Sequence, residues 1–219
     1  MIINMTTIAC RKTHYIDRTL ESLFGSDGRD VPVNLILGSF DTSHVEQYRN
    51  TLNIVPWDQE AESQVTGRHG FNVNVIRSLR YGSDDNCLCC EDDIGFAKDW
   101  LTQLMLTIAE IPDSEYVLSL GQRRDQSPDK RYATHTGRFL CGSQAIFYPS
   151  KPCRSRVADY VEHNINKGMA DALIGRYAKQ NAALYNTTPV LVEHIGQSSS
   201  LREARLERER SAARRSAQR

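Results

Sequence analysis

The sequence contains no run of about 18 apolar residues, so no segment reads as a membrane-spanning helix. Its first residues, Met-Ile-Ile-Asn-Met-Thr-Thr-Ile, carry no basic n-region and no long apolar h-region, so no signal peptide is expected. Net charge is missing as well. The 27 basic residues cancel the 27 acidic ones, which argues against a wholly basic nucleic-acid coat protein and against a halophilic acidic surface. Cys87 and Cys90 have the C-x-x-C spacing, and no other pair of the six cysteines does. Cys87, Cys89 and Cys90 share one expected strand, where alternation sends the first two to one face and Cys90 to the other, so three zinc ligands do not converge there. With Cys10, Cys141 and Cys153 they read as buried free thiols of a reducing cytoplasm, the expected location. No internal repeat and no low-complexity block is found.

The 219 residues suit one domain with a tail. Charged residues at 25% and an apolar set at 40% are ordinary for a globular chain. A chain of this size buries roughly 70% of its unfolded surface and folds without disulfides. Strands are expected at 2–10, 31–40, 86–94, 116–120, 139–148 and 189–195. Helices are expected after Thr13 as cap (Ile16, Leu20, Leu23, Phe24), near Ser43, over 72–81, at Trp100–Ile108, over 154–166 and over 169–177. The Trp100 helix shows an apolar stripe of Trp100, Leu101, Leu104, Met105 and Ile108. Residues 54–70 read as irregular, and 122–136 as a polar loop. The alternation predicts an α/β fold with a mostly parallel central sheet flanked by helices, over residues 1–200. Residues 201–219 hold seven arginines and three glutamates and read as a helical or disordered tail of charge +4.

The strongest chemical signal is Glu91-Asp92-Asp93 at the end of a buried strand. Three adjacent carboxylates repel one another, and the edge of an apolar core penalises their charge. A divalent cation offsets both costs, and hard oxygen ligands suit Mg²⁺ or Mn²⁺. The competing reading is a helix N-terminus favouring acids, a role that Asp99 fills better.

Further residues carry a resemblance. Thr7-Ile8-Ala9-Cys10-Arg11 followed by Tyr15-Ile16 and Thr19-Leu20-Glu21-Ser22-Leu23 is similar to the "T-x-x-x-R … Y-I … T-L-x-S-L" opening of GT-A fold glycosyltransferases. Leu88-Cys89-Cys90-Glu91-Asp92-Asp93-Ile94 resembles their strand ending in the D-x-D motif, and Gly142-Ser143-Gln144-Ala145 their "G-x-Q-A/G" strand. His194-Ile195-Gly196-Gln197-Ser198-Ser199-Ser200-Leu201 resembles the "H-I/V-G-x-x-S-S-L" segment of the N-acetylglucosaminyltransferase IV type. The likeness spans about residues 3–201 and implies a single Rossmann-like GT-A domain. Those larger enzymes are membrane-anchored, whereas no anchor is expected here.

The resemblance implies a nucleotide-sugar donor, most simply a UDP-sugar, with Mn²⁺ or Mg²⁺ bridging its two phosphates. Asp93 is the first expected metal ligand, with Glu91 assisting or binding the sugar or ribose, and His194 completing the set. A satisfied, partly buried histidine is the competing account of His194. Thr7, Ala9, Arg11, Asp41, Arg77, Glu91, Asp92 and Gln144 are expected to line the donor. Arg11 supplies a guanidinium fork for phosphate, although a surface arginine would look the same. Asp41 serves equally as a helix cap, and Arg80 joins Arg77 as a basic residue before the acidic strand. An inverting transfer needs a general base, for which Asp171 is expected, with Asp159 and Glu162 behind it. Asp171 also suits a helix start. Residues 122–137 read either as a lid or as a plain solvated loop.

The acceptor is open: a glycan, a protein or a modified DNA base. The basic tail suggests the last, as in a viral-type transferase, and a noncatalytic nucleotide-sugar-binding protein is the alternative from another class. A nucleotidyltransferase is disfavoured because Thr7–Arg11 lacks the glycines of a phosphate loop.

Overall fold

A computed structural model describes residues 1–7, 14–38, 42–57, 67–83, 85–121, 127, 129–137, 140 and 144–196. Ten strands are present among them: β1 (Ile2–Thr6), β2 (Val33–Ile36), β3 (Asn53–Val55), β4 (Cys87–Glu91), β5 (Ile94–Phe96), β6 (Tyr116–Ser119), β7 (Tyr132–Thr134), β8 (Ala145–Tyr148), β9 (Ala183–Thr187) and β10 (Val192–His194). The helices are α1 (Ile16–Phe24), α2 (Gly67–Arg80), α3 (Trp100–Glu110), α4 (Lys151–His163) and α5 (Ala170–Asn181). Eight strands form one sheet in the order β3-β2-β1-β4-β8-β6-β9-β7, and β10 pairs with β5 in a separate ribbon. Only β8 and β7 run against the other six, so the sheet is mostly parallel, as the alternation predicts.

Both sheet faces are covered, which is why the central strands read as continuous apolar runs. Alternation divides them. Ile3, Met5, Leu88, Cys90, Leu118 and Phe147 pack with Ile16, Leu20 and Leu23 of α1 and with Trp100 and Leu104 of α3. Cys87, Cys89, Val117, Ile146 and Tyr148 pack with α2, α4 and α5. Each fully buried side chain of this size contributes about 1.5–3 kcal/mol. The expected split of the cysteines holds: Cys87 and Cys89 face one layer and Cys90 the other, and all three are free thiols, as is Cys153. Burial pushes the Cys90 thiol up, with Cys87 and the three acids adding to the shift, so it stays protonated.

Polar residues lock α2 to the parallel strands. Asn4, Asn34 and Asn53 stand in register across β1, β2 and β3. Asn53 Nδ2 donates to Asn34 Oδ1 at 2.7 Å, and Asn34 Nδ2 to Asn4 Oδ1 at 2.8 Å. Asn4 Nδ2 then donates to the carbonyls of Ser78 and Tyr81 at 2.7 and 3.1 Å. The buried Arg154 of α4 takes the carbonyls of Leu79, Tyr81 and Gly82 at 2.8, 2.6 and 3.0 Å. Gly82, with φ 78°, makes the left-handed turn after the helix.

Several local expectations change. The segment near Ser43 forms only a 3-10 turn at Glu46–Tyr48. The expected irregular stretch 54–70 includes part of β3 and the first turn of α2. The loop at 122–136 contains β7, pinned by its ladder to β9 at the sheet edge. β5 and β9 lie in segments not expected to be strands. Within α3 the inward stripe is Trp100, Leu104 and Thr107, while Met105 is 48% exposed. Asp99 occupies the N-cap position of α3 without a side-chain capping bond, its carboxylate accepting instead from Gln103 Nε2 at 2.8 Å. Asp27 caps that helix from the preceding turn, accepting from the amides of Leu101 and Thr102 at 3.0 and 2.8 Å. Burial opposes its charge, but hydrogen bonds from Thr102 and Leu101 outweigh this and hold its carboxyl below the usual range. Thr13, the expected cap of α1, lies outside the described residues.

Candidate active site

The carboxyl ends of β1, β2, β4 and β6 share one edge of the sheet, where ligands bind in open α/β folds. β8 runs the other way and delivers Gln144 to the same edge, where its carbonyl accepts from the amide of Glu91 at 2.9 Å. α5 leads directly into β9, which is parallel to β6, so the N-terminus of α5 with Asp171 also lies at this edge. The topology thus brings the ends of β1 and β4, Gln144 and Asp171 to one side of the molecule.

The acidic triplet diverges as soon as β4 ends. Glu91 continues the alternation of Cys87 and Cys89 and borders a small cavity with Ser78, Tyr148 and Ile174, between the sheet and the α2/α5 layer. Asp92 is fully buried, and its carbonyl accepts the Thr19 hydroxyl of α1 at 2.8 Å. Asp93 faces the ribbon. Its Oδ2 lies 2.7 Å from His194 Nε2, although 101 residues separate the two in sequence. Asp93 is 1% exposed and His194 41%, so the pair is buried on one side and open on the other. The ribbon sets this distance: His194 stands opposite Ile94 in the ladder, and the amide of Ile195 donates to the Asp93 carbonyl at 2.9 Å.

Among the described residues, no three His, Cys, Asp or Glu side chains gather as a metal-binding group. The expected trio of Asp93, Glu91 and His194 is therefore a pair, with Glu91 apart from it. One carboxylate and one imidazole nonetheless fit Mn²⁺, a transition metal that takes oxygen and nitrogen donors together, better than Mg²⁺, which the carboxylate alone suits; either ion takes remaining ligands from phosphates and water.

The other expected contacts take particular places. Thr7 is buried and spends its polar atoms on the scaffold: its amide donates to Ile36, its hydroxyl accepts from the Gly38 amide, and its carbonyl accepts from Asn74. Arg77 donates to the carbonyl of Leu37 at 2.7 Å and to that of Pro56, and lies 4.8 Å over the ring of Trp57. It ties together the chain leaving β2 and β3. Arg80 pairs with Asp159 and Glu162 of α4, which places all three between α2 and α4. Asp171 lies in the first turn of α5, half-buried, its Oδ1 accepting from the Ala172 amide at 2.7 Å. The N-cap position there is Met169. Ala9, Arg11 and Asp41 lie outside the described residues, as do 122–126, 128 and 197–219.

No protein-family profile matches this sequence, and no curated protein matches it. Solved structures do match. S. aureus TarS gives a TM-score of 0.59 at 16% identity, covering 90% of this chain and 37% of that one. TarS 1-349 in complex with UDP-GlcNAc gives 0.56 at 17%, covering 91% and 60%. The mannosyltransferase PcManGT from Pyrobaculum calidifontis, in complex with GDP-Man and Mn2+, gives 0.56 at 13%, covering 94% and 60%. The fold is GT-A-like. At these identities the likeness is one of fold, and the chain spans 37% to 60% of the chains it matches in these three cases.

Within this GT-A-like frame two positions gain weight that sequence reasoning left unassigned. Asn74 is a buried amide on α2 that holds the end of β1 through Thr7. A polar residue on the inward face of a helix was its only signal. Gly196 follows His194 and abuts the Asp93–His194 pair. It stood inside a recognised segment but had no chemistry of its own to mark it.

Proposed function

We propose that this chain is a metal-dependent glycosyltransferase, moving a sugar from a nucleotide-sugar, preferably a UDP-sugar, to an acceptor hydroxyl with inversion. The observation that carries the reading is the 2.7 Å approach of His194 to Asp93 at the carboxyl edge of a GT-A-like sheet. Two residues 101 positions apart meet there with one side open. The complexes of the structural neighbours, with UDP-GlcNAc and with GDP-Man and Mn2+, support the same donor class.

Asp93 and His194 would hold Mn²⁺ or Mg²⁺, which neutralises the charge gathering on the leaving diphosphate. Glu91, on the other side of β4, faces the sugar or ribose. Asp171 accepts the proton of the acceptor hydroxyl as its oxygen bonds to the anomeric carbon and the bond to the diphosphate breaks. Gln144, whose carbonyl accepts from the Glu91 amide, would stand beside it toward the donor. Thr7 and Arg77 act by shaping the strand ends. Among the described residues no helix is long and apolar enough to cross a membrane.

The test is a thermal-shift series with UDP, GDP and their sugar derivatives, each with Mn²⁺ and with a chelator. A ligand that binds the folded state raises the melting temperature by mass action. A metal-dependent shift with one nucleotide class, followed by release of that nucleotide in the presence of acceptors, is the expected result. Binding without any turnover would make the chain a nucleotide-sugar-binding protein, and no shift with any of them would remove the donor site.

A further inference from the structure

Where the chain leaves β10, Gly196 comes to lie on the Asp93–His194 pair. A Cβ at this position would stand 2.5 Å from Asp93 Oδ2, 2.8 Å from His194 Nε2 and 3.2 Å from Asp93 Cγ. Backbone conformation does not demand a glycine here, since the left-handed glycine among the described residues is Gly82. The demand is for space. Other crowded glycines answer to packing: Gly28 is met by the Trp100 indole at 2.4 Å, and Gly175 by the backbone of Leu140 at 2.8 Å. Gly196 is met instead by the two atoms that would bind a cation.

The ribbon is tied to Asp93 at this point. The Ile195 amide is bonded to the Asp93 carbonyl, and Gly95 lets Ile195 approach, with a Cβ there only 3.3 Å from Ile195 Cγ2. The His194 side chain is 41% exposed and can swing outward. A methyl group at 196 would thus relieve its contacts by parting the pair, at little cost to the fold.

We propose that Gly196 is a positioning residue, which by lacking a side chain lets Asp93 Oδ2 and His194 Nε2 stand close enough to receive a divalent cation together. The inference rests on the metal-dependent reading above. It makes cation affinity depend on a residue that offers no ligand atom.

The experiment is a Mn²⁺ titration followed by electron paramagnetic resonance, with UDP and separately with GDP, on the wild type and Gly196→Ala. Apo melting temperatures are recorded alongside. Gly196→Ala is expected to lose roughly 10- to 100-fold in Mn²⁺ affinity, the range for residues that orient ligands. Its apo melting temperature should stay close to that of the wild type. Wild-type affinity in Gly196→Ala overturns the inference and leaves the metal site standing. A wild type that binds no Mn²⁺ with either nucleotide overturns the metal-dependent reading itself. If Gly196→Ala does not fold, substoichiometric Mn²⁺ added to the wild type decides: the Gly196 amide resonance should be among the first to broaden, and its persistence overturns the proposal.

Discussion

Glu91 ends a strand hydrogen-bonded on both sides, to β1 and to β8, within a sheet of eight. His194 ends a three-residue strand whose ladder is with the three-residue β5. Both stand at the same candidate site, on supports of unequal strength. A two-stranded ribbon is at best marginal by itself, so the Asp93–His194 distance depends on what surrounds the ribbon: Leu191 and Val192 on Leu120, and the Ala97 amide on the Leu191 carbonyl at 3.0 Å. Under the function proposed above, the large sheet would hold Glu91 firmly at the sugar side, and the ribbon would hold His194 more lightly at the metal side. Adaptable geometry suits a cation that arrives with the donor, and fixed geometry suits groups that must aim at one carbon atom.

The sharpest way to break the comparison is on the ribbon side. Asp93→Ala should abolish the metal-dependent part of donor binding while the apo protein still folds, because His194, 41% exposed, can turn to water once its partner is gone. The thermal shift with Mn²⁺ and donor, compared with chelator, reads this directly. A retained metal-dependent shift would disqualify the pair as the cation site. On the sheet side, Asp171→Asn should lower turnover by about 10²- to 10⁴-fold, the usual contribution of a general base, and leave the metal-dependent shift unchanged. Equal turnover in the two proteins would remove Asp171 from the reaction.

A third change weakens the large sheet alone. Asn4→Ala breaks the amide ladder across β1, β2 and β3 and withdraws the donor from the carbonyls of Ser78 and Tyr81. Leaving buried groups without a partner costs about 1–3 kcal/mol, so urea unfolding should show a loss in that range. If the two supports are separable, Mn²⁺ affinity of the folded variant stays at wild type. A parallel fall in Mn²⁺ affinity would show that the ribbon takes its geometry from β1.

Most of the large sheet was legible in the sequence, and half of the ribbon, since β10 lies within the expected strand 189–195. β1, β4 and β6 are runs of apolar residues buried on both faces, and burial on both faces is what such runs encode. β3, β5 and β7 have three residues each, too short for any period to show. β9, with Tyr185, Asn186 and Thr187, is buried but not uniformly apolar, and it follows α5 after a single residue. At the site, Glu91-Asp92-Asp93 was conspicuous because charge at a buried strand end is costly. Its three-way divergence was not, since it depends on pairing that stops at Glu91. The resemblance made Thr7 and Arg77 expected donor contacts, and the structure shows polar groups of both bonded to carbonyls and amides at the strand ends. Those partners come from 29 or more positions away for Thr7 and from 21 or more for Arg77, beyond any local pattern.

The smallest expected effect comes from the surface tie of the scaffold layer. Arg80 of α2 reaches Asp159 and Glu162 of α4, at 2.7 Å in each case. These side chains are 43% to 68% exposed, so Arg80→Ala should cost only about 0.2–1 kcal/mol at neutral pH. The hydrogen bond from Arg80 holds the Glu162 carboxyl below its ordinary value of 4.5. A carboxyl depressed by folding stabilises above its unfolded value, and that contribution fades as pH falls through the folded one. The gap between wild type and Arg80→Ala in urea unfolding should therefore be open at pH 7 and narrow steadily below pH 4.5. A gap that stayed constant into acid would mean that Arg80 supports α2 through the packing of its methylene stem and not through its charge.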